Sequence, residues 1–124
     1  MDSHIILWAM HEPTRLSENQ ARLLSTPTVQ PIVSVFSLWE LTYKSRQAKL
    51  SVPFRVDFSI EQFLREFEGD WLPFLPSHAA RVADLGLHHR DPFDLMILSQ
   101  AISENLPVMT SDQKFALYPV RVLN

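Results

Sequence analysis

The 124-residue chain contains no cysteine and only two glycines, Gly69 and Gly86. Without cysteine there are no disulfides and no thiolate metal sites, which agrees with a reducing compartment. So little glycine excludes a glycine-rich phosphate loop, a dinucleotide fingerprint and a G-x-S-x-G elbow. No H-E-x-x-H pair occurs, and the histidines lack the spacing of a metal site. Long apolar runs are missing as well. The longest, IILWAM, is far too short to cross a bilayer, and no basic region precedes it as in a signal peptide. A cytoplasmic protein is expected. Positive charge is not in excess either, since the formal net charge is −3. A general nucleic-acid binder needs basic surface to displace counterions, so any such role must rest on local patches. Two exist, Lys44, Arg46 and Lys49 in YKSRQAK and His88, His89 and Arg90 in HHRD, and their simplest reading is solvated charge.

What remains reads as one α/β domain over residues 1–124, with hydrophobic content of 46% and charged content of 20%, ordinary for a globular protein. His4 to Met10 predicts a helix ending before Pro13, and Ser17 predicts the N-cap of ENQARLLS. PIVSVF reads as a buried strand, followed by a helix over SLWELTYKSRQAKL. FSIEQFLREFEGD places Ile60, Phe63, Leu64 and Phe67 on one helical face, with Gly69 ending it. WLPFL is an edge strand at best because of Pro73. Helices over SHAARVADLG and DPFDLMILSQAISEN follow, the latter with Pro92 at its first position, and LPVMT and VRVL are the last strands. Strands alternating with helices imply parallel pairing in three layers.

Four acids stand out, each beside an apolar run: Asp2, Glu40, Asp94 and Asp112. Parallel sheets bind ligands beyond the carboxyl ends of their strands, and the positions of Glu40, Asp94 and Asp112 would bring those three there. Isolated, they would be costly; gathered, they repel, and a divalent cation reconciles them. Each also has a plainer reading. Ser37 and Glu40 have the spacing of a capping box, and locally that reading is the simpler one. Asp91 and Asp94 repeat the spacing, with Asp91 as N-cap. Asp94, however, opens a helix apolar on nearly every side, so it needs a partner better than water. Asp2 reads locally as an N-cap for the first helix. Asp112 reads as a turn or cap residue, with Thr110 and Ser111 placed to orient a water or to cap.

Taken together, DSHIILWAM, SVFSLWELTYKSRQAKL and LGLHHRDPFDLMILSQAISENLPVMTSDQKFALYPVRVL resemble the PIN-domain ribonucleases, and among them the VapC-type toxins of bacterial toxin–antitoxin pairs. The resemblance runs almost end to end. It implies a Rossmann-like α/β/α domain around a mostly parallel sheet of about five strands. It implies metal and catalytic roles for Asp2, Glu40 and Asp94, with Asp112 as a weaker fourth member and Asp91 as a capping residue. Ser3 stands where the family often has threonine. The departure lies at the start. Family members carry an apolar central strand before the first aspartate, and here only Met1 precedes it, so the first strand is missing or truncated. Losing it should cost more than the usual stability margin of roughly 5–15 kcal/mol, and a true start upstream is the expectation.

The activity so implied is Mg²⁺-dependent (or Mn²⁺-dependent) hydrolysis of RNA, leaving 5′-phosphate and 3′-hydroxyl ends, with one ion or two about 4 Å apart. Lys44, Arg46, Lys49, His89 and Arg90 become candidate phosphate contacts, and single-stranded or looped RNA suits an open cleft. A small antitoxin and a second copy of the chain are the implied partners. Two rivals remain: a catalytically inactive PIN-fold binding module, and a phospho-receiver domain. The latter should carry paired acids after its first strand and a lysine after its last.

Overall fold

The computed structural model describes residues 1–47, 55–86 and 91–124. The chain opens directly into helix α1 (Ser3–His11), capped by Asp2, whose side chain accepts a hydrogen bond from the His4 amide. A 3₁₀ turn over Pro13–Arg15 leads to α2 (Glu18–Leu24). There Ser17 is the N-cap, as the sequence predicts, and Gln20 completes a reciprocal capping box with it. Strand β1 (Ile32–Ser34) is shorter than PIVSVF suggests, because α3 (Val35–Arg46) begins within that run.

The reason is the cap. Ser34, rather than Ser37, accepts from the Phe36 amide at 3.0 Å, and the helix starts one turn earlier than its capping-box spacing indicates. Ser37 is instead buried inside α3 and donates to the Met1 carbonyl. Glu40 is thereby moved to the second turn, where it cannot cap.

Helix α4 (Val56–Glu66) buries Ile60, Phe63 and Leu64 on one face. Its end departs from expectation in an instructive way. Glu68 adopts the left-handed conformation (φ 53°), and the Gly69 amide closes the helix on the Leu64 carbonyl at 2.8 Å. Gly69 is required for closeness: a Cβ there would lie 2.6 Å from the Pro31 carbonyl oxygen and 2.8 Å from Leu64 Cδ2. Strand β2 (Asp70–Leu72) follows and ends at Pro73. Next come α5 (Pro76–Arg81) and, after a 3₁₀ turn, α6 (Pro92–Glu104), whose left-handed Asn105 terminates it. The fold closes with β3 (Val108–Met109), a 3₁₀ turn over Gln113–Leu117 and β4 (Val122–Leu123).

Both strand pairings are parallel, β1 with β2 and β3 with β4. Successive strand residues point to opposite faces, and both faces are covered. Met109 and Val33 enter a core built with Ile5, Ile6, Leu41, Ile60 and Phe63. Val108 enters a second core with Leu98, Ala101, Phe115 and Tyr118. Ser34, alternating with Val33, donates to the Gln100 side chain on α6. The result is helix layers on both sides of parallel strands, the α/β architecture expected.

The expected sheet of about five strands differs in detail. Among the described residues there are four strands, in two separate pairs. Met1 and Asp2 span the interval between the pairs. The Met1 amino group donates to the Ile32 carbonyl at 3.2 Å, and the Asp2 amide donates to the Met109 carbonyl at 3.0 Å. Beside this bridge lies an apolar cavity of about 130 Å³, whose walls include Met1, Ile32, Leu72, Ile97 and Val108. Two residues thus tie β1 to β3 where a strand could lie. Among the described residues no helix is long and apolar enough to cross a membrane.

Candidate metal centre

Each acid reaches the site by a different local device. Asp2 is held at the α1 N-terminus, and its Oδ2 accepts from the Thr110 hydroxyl at 2.7 Å. That hydroxyl also accepts from the Asp112 amide at 3.0 Å, so the fully buried Thr110 fixes Asp2 relative to the segment after β3. Asp112 caps the following 3₁₀ turn through the Lys114 amide. Glu40 is 3% exposed and is held from two sides, by the Ser3 hydroxyl and by Lys44 Nζ at 2.9 Å. Asp91 caps α6 by accepting from the Phe93 amide at 2.9 Å, and Asp94 follows in the first turn.

These elements converge beyond the carboxyl ends of β1 and β3. The cleft there has a volume of about 490 Å³, and Asp2, Glu40, Asp91, Asp94 and Asp112 all line it. Within it, one carboxylate oxygen each from Glu40, Asp91 and Asp94 lie within 4.8 Å of one another. Asp2 and Asp112 share the cleft but stand outside that trio among the described residues. Asp91, read from the sequence as a cap, does cap α6 through Oδ1 and also brings a carboxylate oxygen into this trio, a juxtaposition that D-x-x-D spacing at a helix start could have signalled.

The electrostatics register the crowding. Burial pushes the Asp94 carboxyl up to about 8, assisted by the charges of Asp91, Asp2, Glu40 and Asp112. Burial by itself would lower the Lys44 pKa. The hydrogen bond to Glu40 and the charges of Glu40, Asp91 and Asp94 outweigh it and hold the ammonium above its ordinary value.

Of the basic residues singled out in the sequence, Lys44 lines the cleft, whereas Arg46, in the last turn of α3, does not. Lys49, His89 and Arg90 lie outside the described residues, as does His88. The cleft instead recruits Arg15, which the sequence did not single out. Its guanidinium lies 4.8 Å over the Trp8 ring and pairs with Glu12 at 3.5 Å. The 3₁₀ turn at Pro13 folds Arg15 back onto α1, and no periodicity marks such a return.

Can this site hold a cation? The ligands available are hard, converging carboxylate oxygens, which is the donor set that Mg²⁺ or Mn²⁺ prefers. The residues fit.

Parallel strands covered by helices, with an acidic cleft beyond their carboxyl ends, define a Rossmann-like α/β domain built to concentrate negative charge. Residues 1–120 match the PIN domain family, and the chain belongs to it. PIN domains are generally nucleases and typically use a divalent metal. Among solved structures the chain is similar to one in the crystal structure of VapBC2 from Rickettsia felis bound to a DNA fragment from their promoter. The TM-score is 0.73 with 21% identity, covering 97% of this chain and 92% of that one. At that identity the likeness speaks for the fold. No curated protein matches the chain.

Proposed function

We propose that the chain is a metal-dependent endoribonuclease of the VapC type, the toxin of a toxin–antitoxin pair. The observation that carries this reading is the convergence of Glu40, Asp91 and Asp94 within 4.8 Å, in a cleft that Asp2 and Asp112 also line. Glu40, Asp91 and Asp94 would hold Mg²⁺ or Mn²⁺, with Asp2 and Asp112 acting through water or toward a second ion. When bound, the cation supplies Lewis acidity at a phosphoryl oxygen and acidifies water near neutral pH. The chain's own groups prepare the rest. Ser3 orients Glu40, Thr110 keeps Asp2 in register with Asp112, and Lys44 and Arg15 offer positive charge to the RNA backbone. Hydrolysis would leave 5′-phosphate and 3′-hydroxyl ends.

The structurally similar chain comes from VapBC2, and by that likeness the partner here is a small antitoxin that covers the cleft. A cytoplasmic homodimer is part of the same proposal, as are phosphate contacts by Arg46, Lys49, His89 and Arg90. One observation favours the rival reading of an inactive binding module: Lys44 pairs with Glu40 at 2.9 Å and offsets part of the charge that a cation would neutralise.

The test is cleavage of an end-labelled single-stranded RNA with Mg²⁺ or Mn²⁺, against an EDTA control. Asp94→Asn is expected to abolish cleavage while leaving the circular dichroism spectrum unchanged. Wild-type cleavage by that variant would sink the assignment, and calorimetry with no heat of binding at millimolar metal would favour the module.

A further inference from the structure

The acids account for only part of the surface around the cleft. Immediately beside them runs a tier of aromatic rings that the metal chemistry does not use. Phe93 sits between Asp91 and Asp94 in the first turn of α6, and its ring centroid lies 5.0 Å from that of Trp39. Trp39 directly precedes Glu40 on α3 and stacks on Tyr43 at 5.1 Å, with the rings 7° from parallel. The tier therefore starts in the helical turn that carries Asp91 and Asp94 and continues along α3, with Trp39 walling a recess separate from the acidic cleft.

Large aromatic side chains are ordinarily among the most buried, yet Trp39 is 54% exposed and Tyr43 43% exposed. Their mutual stacking and the Phe93 contact hold Trp39 in place without hiding it. Its ring also walls a recess of about 580 Å³, lined further by Leu38, Thr42, Ser45, Arg55 and Asp57. That lining sets the Trp39 ring beside the Thr42 and Ser45 hydroxyls, with Arg55 and Asp57 paired to one another at 2.8 Å at its edge. A nucleobase presents the matching pair of features, a π face and a hydrogen-bonding edge. Cationic charge for the adjoining phosphates comes from Lys44 and Arg46 in the last turn of α3.

We infer that Trp39, supported by Tyr43 and Phe93, is a stacking platform for an unpaired nucleobase next to the phosphate at the acid cluster. This rests on the ribonuclease reading and adds to it a base subsite, which would give the expected choice of single-stranded RNA a structural cause. Duplex RNA keeps its bases engaged with one another and cannot offer a free face.

The experiment measures binding of a fluorescein-labelled single-stranded oligoribonucleotide by anisotropy, with Ca²⁺ replacing Mg²⁺, in the wild-type protein, Trp39→Ala, Trp39→Phe and Tyr43→Ala. A second oligonucleotide carries abasic sites. Trp39→Ala is expected to weaken binding of the normal RNA about tenfold, in line with the loss of one stacked base. Trp39→Phe should restore most of that affinity. The abasic RNA should bind the wild type and Trp39→Ala equally. RNA-induced quenching of tryptophan fluorescence should be largely lost in Trp39→Phe, even though Trp8 and Trp71 remain. Thermal denaturation of each variant reports folding, and Tyr43→Ala gives a smaller, independent loss. A wild type that cleaves RNA, alongside a Trp39→Ala that binds normal RNA equally well, would overturn the platform and spare the nuclease. If Trp39→Ala instead only dissociates a dimer or releases a protein partner, the tier is a protein interface and the platform is wrong. A wild type that neither binds nor cleaves RNA would overturn both.

Discussion

Asp94 offers a sharp test because its charge acts oppositely with and without metal. Its folded-state pKa of about 8 lies far above the ordinary carboxylate value, raised first by burial and then by four neighbouring acids. The native state thus holds the Asp94 proton more tightly than the unfolded chain does. That contribution is present in full below about pH 4 and is lost as pH rises through about 8. The undiscounted shift corresponds to about 6 kcal/mol, and solvent reaching the partly exposed group reduces it to a few kcal/mol. Asp94→Asn removes the ionisation and keeps the shape. Without metal, the variant should match the wild type near pH 4 and exceed it by about 2–3 kcal/mol at pH 9, measured by urea denaturation. Adding Mn²⁺ at pH 9 should reverse the order. A ligand that binds only the native state stabilises it, and the variant's neutral amide offers the ion one charged donor fewer. A thermal shift with Mn²⁺ should accordingly be large in the wild type and small in the variant. An Asp94→Asn protein less stable than wild type at pH 9 in EDTA, or one equally stabilised by Mn²⁺, would refute the reasoning.

Three further perturbations probe the scaffold and the counter-charge. Gly69→Ala should destabilise by about 1–3 kcal/mol in urea denaturation, because its Cβ would press on the Pro31 carbonyl where α4 turns into β2. Substitution of the left-handed Glu68 by glycine should instead be neutral or slightly stabilising. Lys44→Met should cost roughly 1–3 kcal/mol in EDTA, since it leaves the buried Glu40 carboxylate without its ammonium. Millimolar Mn²⁺ should recover much of that loss if Glu40 is a metal ligand. Recovery by NaCl alone at equal ionic strength would show that screening, and no bound ion, is responsible.

Legibility in the sequence followed the range of the interactions involved. Ser17 with Gln20, Asp91 with Pro92, and the apolar face of α4 are local patterns, and the elements they announce form where expected. The start of α3 departs from expectation because Ser34 and Ser37 both suit a cap, and only packing chooses between them. Ser37 is wanted inside, against the Met1 carbonyl, so Ser34 takes the end. That choice removes Glu40 from the capping box and turns it toward the cleft.

The acidic positions, the alternation of strand and helix, and the absence of thiolate or glycine-loop chemistry were determined by the sequence alone, since each is a matter of residue type and near spacing. Tertiary structure decided which acids meet. Asp91, a cap by its local spacing, joins Glu40 and Asp94 within 4.8 Å, while Asp2 and Asp112 flank them, tied together by the Thr110 hydroxyl. Arg15 reaches the cleft only because a 3₁₀ turn folds it back, and Trp39 meets Phe93 beside the acids only because α6 docks on α3. Residues up to 108 positions apart share these contacts, and no local periodicity encodes a meeting at that range.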